Sequence, residues 1–198
     1  MALSELQIKN MSLSKIGDYI ITAIGEGTKQ DIYTNLHWES VRDTLLEEYP
    51  WNFATQRAEL TAGVTTPTWN WAYEYILPSD CIRVLEMAAG TSAVFDKTDS
   101  YDYRVESGLL LTNETSPVFI KYIAQVTGTS SWPPSFCEAV ACKMALQVGE
   151  PLAGISANQR QLLETEYQEA IGKARGIDFA EGTDDPIGYY SMISCRDN

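Results

Sequence analysis

The chain contains a single histidine and only 14 Lys and Arg against 27 Asp and Glu, for a formal net charge of −13. With one histidine, and no Ser or Cys in a nucleophile signature, neither a hydrolase triad nor a multi-histidine metal site is expected. The shortage of Lys and Arg excludes sequence-independent wrapping of nucleic acid, whose affinity comes from neutralising phosphates. No apolar run approaches the roughly 20 residues of a membrane helix, and MALSELQIKN lacks an apolar stretch after a basic one. A cytoplasmic chain with no membrane partner is therefore expected. The four cysteines, Cys81, Cys137, Cys142 and Cys195, lack CxxC spacing and read as free thiols. Internal repeats and low-complexity stretches are missing too. What is present is 198 residues, 44 % hydrophobic and 11 % aromatic, enough for one compact core or two small ones. The acidity is spread along the chain, and only residues 131–176 come near neutrality.

Ser4 and Gln7 have capping-box spacing, and Leu3, Leu6, Leu13 and Ile16 recur at helical intervals until Gly17. After the turn-rich GEGTKQD, the four-residue spacing of Tyr33, His37, Val41 and Leu45 predicts a second helix to about Pro50. From residue 51 the period falls to two. Ala58, Leu60 and Ala62 alternate with Arg57, Glu59 and Thr61, Trp71, Tyr73 and Tyr75 alternate with Ala72, Glu74 and Ile76, and CIRVLEM, 103–106, 109–112 and 118–124 complete a set of short strands. Helical spacing returns after Pro133-Pro134, with Ser135 and Glu138 as a second capping-box pair and Phe136, Val140, Met144 and Val148 as the stripe, to an end at Gly149 and Pro151. A last helix is expected from Ser156 to Gly176, carrying Leu163, Tyr167, Ala170, Ile171 and Ala174 inward. The expected fold is α+β: residues 1–50 and 131–176 form a four-helix bundle, 51–130 a small, mostly antiparallel inserted β domain, and 177–198 an extended acidic tail.

Three segments hint weakly at chemistry. Gly25-Glu26-Gly27-Thr28-Lys29 has the composition of a phosphate loop, but not its spacing or its preceding strand, so a turn between helices is expected. Asp96, Asp99 and Asp102 are spaced by three where a calcium loop needs two, which suggests a solvated loop. His37 shares the stripe of its helix and reads as a core or interface residue. No catalytic residue, cofactor or metal is assigned. The unusual feature is aromatic density: Tyr49, Trp51 and Phe53, then Trp69, Trp71, Tyr73 and Tyr75, with Tyr189 and Tyr190 near the C-terminus. Trp51, Phe53, Trp69, Trp71, Tyr73, Tyr75, Tyr189 and Tyr190 are candidates for a subunit or partner interface, where Trp and Tyr give large contact area. The β-domain core is the competing place for those between residues 51 and 75.

Several blocks, in order, resemble the head-to-tail adaptor proteins of short-tailed bacteriophages, the tail tubular A proteins of T7-like phages. They are NMSLSKIG (10–17), SVRDTLLEEYPWNFATQRAEL (40–60), WNWAYEYILPSDCIRVL (69–85), VESGLLLTN (105–113), VFIKYIAQVT (118–127) and FCEAVACKMALQVGEPLAG (136–154). The resemblance spans roughly residues 8–176 and leaves the tail unmatched. It implies a non-enzymatic virion protein, a dodecameric homo-oligomer ringed between the portal and the tail nozzle, with tail fibres as a further candidate partner. Double-stranded DNA would pass through without specific binding, in the virion tail, after assembly in the host cytoplasm. Two other readings stay open: a small-ligand-binding or enzymatic α+β domain with a pocket around Asp80 and Arg83, and a stopper or connector of a longer-tailed phage.

Overall fold

The computed structural model describes residues 2–63, 66–90 and 101–181. Four helices frame the chain: α1 (Glu5–Lys15), α2 (Lys29–Glu48), α3 (Pro134–Ala153) and α4 (Ala157–Ala180). Between α2 and α3 lie β1 (Thr55–Ala62), β2 (Tyr73–Ile76), β3 (Cys81–Ala89), β4 (Tyr103–Glu106), β5 (Leu109–Thr112) and β6 (Val118–Ala124).

Local sequence explains where α1 and α4 begin. The Ser4 and Ser156 hydroxyls accept the N–H of Gln7 and Gln159, and each glutamine side chain returns to the cap backbone, closing two capping boxes. The box expected at Ser135 and Glu138 does not form. Pro133 caps α3, Pro134 occupies its first turn, and Glu138 instead reaches across to Lys15 at 2.7 Å. Nor does α3 stop at Gly149. It continues through Pro151 to Ala153 and ends on Gly154 in the left-handed conformation, φ 59°. Pro151 is tolerated because the intrahelical bond it cannot make falls in the last turn, at the carbonyl of exposed Gln147.

The expectation of a four-helix bundle carrying a small inserted β domain is overturned. Helices α1, α2 and α4 each pack on α3 and meet one another chiefly through side-chain tips, so α3 is the hub of the helical layer. Its Phe136, Val140, Met144 and Val148 are all fully buried, each contributing about 1.5–3 kcal/mol relative to an exposed position. The β part is a six-stranded sheet in the order β3-β6-β1-β2-β5-β4, antiparallel at every pairing. β1 makes the corner, pairing with β6 over Thr55–Leu60 and with β2 at Thr61 and Ala62. The sheet curls into a nearly closed barrel: Met87 of β3 and Tyr103 of β4 share one core, and the Tyr101 hydroxyl donates to the Ala89 carbonyl at 3.4 Å.

This barrel is not a projecting appendage. On β6, Tyr122 and Ala124 point into the barrel while Ile123 points into the helical core. On β3, Cys81, Val84 and Met87 face the barrel, and Ile82 and Leu85 face the helices. Two register shifts, between Cys81 and Arg83 and between Val84 and Glu86, permit that unequal spacing. The two cores are therefore fused through a shared wall.

Candidate functional site

The predicted interface aromatics fall into three groups. Trp51 and Tyr75 are each 1 % exposed and belong to the interior, so the structure removes both from any partner-facing surface of this protomer. Trp51 sits among Tyr49, Phe53 and Phe136, with ring centroids 4.8, 6.0 and 5.0 Å away. Its indole N–H donates to the Leu45 carbonyl at 2.7 Å, satisfying an acceptor that the end of α2 leaves without a helical partner. Phe53 is half-buried in the same cluster. Tyr75 fills the barrel and donates its hydroxyl to the Glu114 carbonyl at 3.0 Å, and burial pushes its pKa up.

The second group is accessible. Trp69 is 75 % exposed, Tyr73 is exposed at the start of β2, and Trp71 is half-buried beside them. Trp69 and Trp71 form one wall of an open pocket of about 500 Å³ over Leu109 and Leu111. The third group, Tyr189 and Tyr190, lies outside the described residues.

Sequence reasoning missed the apolar residues on the outer faces of the helices. Ile32 and Leu36 on α2 are exposed, Leu36 to 68 %, as are Leu162 and Phe179 on α4 and Tyr19 and Ile20 in the α1–α2 connection. The signal was present for α2: Ile32 and Leu36 are four apart and one residue out of step with Tyr33 and His37. The inward stripe of α2 is Thr34, Trp38, Val41 and Leu45, and Tyr33 and His37 are only half-buried.

The glycine-rich GEGTK segment has an anion of its own. The N–H groups of Gly25 and Gly27 donate to the Asp31 carboxylate at 3.0 and 3.1 Å, and Asn35 adds a third donor at 2.7 Å. These bonds, those from the two glycines first, hold the carboxyl below its ordinary range. The Asn35 amide oxygen in turn accepts from Lys9, which is fully buried, ion-paired with Glu5 and set 5.2 Å from the Trp38 ring centroid. A phosphate would have to displace a built-in carboxylate.

Next to Asp80 and Arg83, the described residues pack the barrel interior with side chains. Leu60, Met87, Leu110, Val118, Ile120 and Tyr122 fill the barrel, and Asp80 accepts the Tyr122 hydroxyl at 3.3 Å. Trp69 and Trp71 line the outer pocket and not that interior. No His/Cys/Asp/Glu group suited to a metal occurs among the described residues, which do not include Asp96 and Asp99. Burial pushes the thiols of Cys81 and Cys137 up to about 11, which leaves them poor nucleophiles. Comparison with protein-family models and with curated proteins finds no match. No helix among the described residues is long and apolar enough to cross a membrane.

Proposed function

We propose that the protein is a structural head-to-tail adaptor of a short-tailed phage, acting as a dodecameric ring between portal and nozzle around the DNA channel. The observation that carries this reading is a set of large apolar side chains exposed on two different helices, outside both cores formed by the described residues. Ile32 and Leu36 on α2, and Leu162 and Phe179 on α4, are more than half exposed and belong to neither core. Patches on different elements suit a heterologous interface, in which each subunit offers two unlike surfaces and a ring forms when the rotation between neighbours closes. The ordered sequence blocks supply the identity of the ring, and the net charge of −13 supplies a reason for its chemistry. An acidic lining repels phosphates and lets duplex DNA slide, where Lys and Arg would hold it.

The test is direct. Purified protein is mixed with the portal protein encoded in the same genome, and the product is imaged by electron microscopy. A ring of subunits on the portal is the expected result, and bare portals at saturating protein would refute the reading.

A further inference from the structure

The outer face of the β2-β5-β4 part of the sheet carries a pocket that the adaptor reading does not use. Pairing sets its floor and far wall: Arg104 lies opposite Leu111, and Glu106 opposite Leu109. Leu109 and Leu111 form an apolar base, and Arg104 and Glu106 form a charged rim, ion-paired at 3.1 Å. Trp69 and Trp71 face them across about 500 Å³, a volume typical of small-ligand sites.

The aromatic wall is built and not a loose loop. The Trp71 N–H donates back to the Trp69 carbonyl at 2.9 Å across Asn70, whose φ is +66°. A bond between residues two apart across a positive φ marks a tight, strained turn, and such strain concentrates where a binding surface must be held in shape. The next N–H, of Ala72, donates to the Asn113 side chain at 3.0 Å and ties the turn to the end of β5. The cost of that arrangement brings no burial of Trp69, whose indole stands in solvent.

The chemistry of the walls narrows the ligand. Among the described residues of the lining, Glu106 already pairs with Arg104, and a net charge of −13 on the chain opposes a phosphate or nucleotide. A bare cation would meet the guanidinium, and a purely apolar group would strip water from the polar rim without replacing its hydrogen bonds. A neutral sugar satisfies both parts. Its C–H faces, slightly positive, suit the electron-rich indole faces, and its hydroxyl edges give donors and acceptors to carboxylate, amide and guanidinium alike. We propose that the pocket between the Trp69–Trp71 turn and β4 binds a neutral saccharide ring.

Isotope-labelled protein, followed through its five tryptophan indole N–H resonances, is titrated with neutral tetrasaccharides of glucose, galactose and N-acetylglucosamine. A proline-rich peptide and AMP are titrated in parallel. The expected result is a saturable shift of the Trp69 and Trp71 resonances with at least one saccharide, while those of buried Trp38, Trp51 and Trp132 stay in place. Trp69→Ala should weaken that binding about tenfold, and Trp69→Tyr, which keeps a ring, by no more than about threefold. Thermal unfolding of both variants checks that the fold is intact. Absence of a shift with every saccharide, a shift only with the peptide or AMP, or wild-type binding by Trp69→Ala would each overturn the proposal. Ring formation on the portal by Trp69→Ala is a separate readout, so failure of the sugar site and failure of the adaptor reading are distinguishable.

Discussion

Trp51 separates a core residue from an interface residue most sharply, because the two roles predict opposite results for an isolated protomer. Trp51→Phe keeps a ring among Tyr49, Phe53 and Phe136 but removes the N–H that satisfies the Leu45 carbonyl at 2.7 Å. Leaving a buried acceptor unpaired costs about 1–3 kcal/mol. For a chain of this size each kcal/mol lowers the melting midpoint by roughly 2–4 °C, so a fall of about 5 °C is expected. Trp51→Ala adds the cavity of a lost indole, about 3–5 kcal/mol on top, a large share of the 5–15 kcal/mol that holds a typical domain together. That variant is expected to be recovered poorly, which makes Trp51→Phe the decisive one. Unfolding in urea and on heating, followed by circular dichroism at a dilution where the protein is monomeric, measures the loss. Trp69→Ala in the same assay should shift stability by no more than about 0.5 kcal/mol, as expected of an exposed side chain. A Trp51→Phe protomer as stable as wild type, yet defective in assembly on the portal, would show that the residue faces a partner and that the packing argument is wrong.

Asp31 has a folded pKa below its ordinary value, so the stability it contributes is complete above that ordinary value and is lost as pH falls through the lowered one. Asp31→Asn should be destabilised at pH 7 in urea unfolding, with the gap to wild type closing as pH falls below the ordinary carboxylate range; an equal gap throughout would contradict the role of the Gly25 and Gly27 donors. With its thiol pushed up to about 11, Cys137 is thiolate in only ~1 of 1000 molecules at pH 8. Its labelling by a disulfide reagent should be at least about 100-fold slower in the native protein than in urea, and rapid native labelling would refute its burial. Ile32→Asp with Leu36→Asp should leave protomer stability within about 0.5 kcal/mol while abolishing the ring on the portal. Rings of normal yield would remove α2 from the interface.

What could be read before folding, and what could not, divides along the range of the interactions. The starts of α1 and α4 were legible because a cap is made by residues three apart, Ser4 with Gln7 and Ser156 with Gln159. The stripes of α3 and α4 were legible because their apolar residues repeat at the period of the helix. The same local logic failed at Ser135, where Lys15 on another helix claims Glu138, and at Gly176, where α4 continues to Ala180. The Asp178 carboxylate accepts the Asn52 N–H at 2.9 Å and its carbonyl accepts the Asn52 amide at 2.6 Å, anchoring that last turn to the entry of β1. No neighbour in the sequence announces such a partner. Trp51 and Trp69 show the limit for the site: two exposed-or-buried fates for one residue type, decided by what lies across the chain.

The sequence by itself determined the order of helices and strands, the acidic and nearly histidine-free surface chemistry, and the N-terminal caps of α1 and α4, all of which rest on composition or on contacts within one turn. Only the tertiary structure decided that α3 is a hub and not one of four equal helices, that barrel and helices share a wall through β3 and β6, and which tryptophans meet solvent. Those outcomes depend on pairings between residues tens of positions apart, whose free energy exists only once both partners have been brought together.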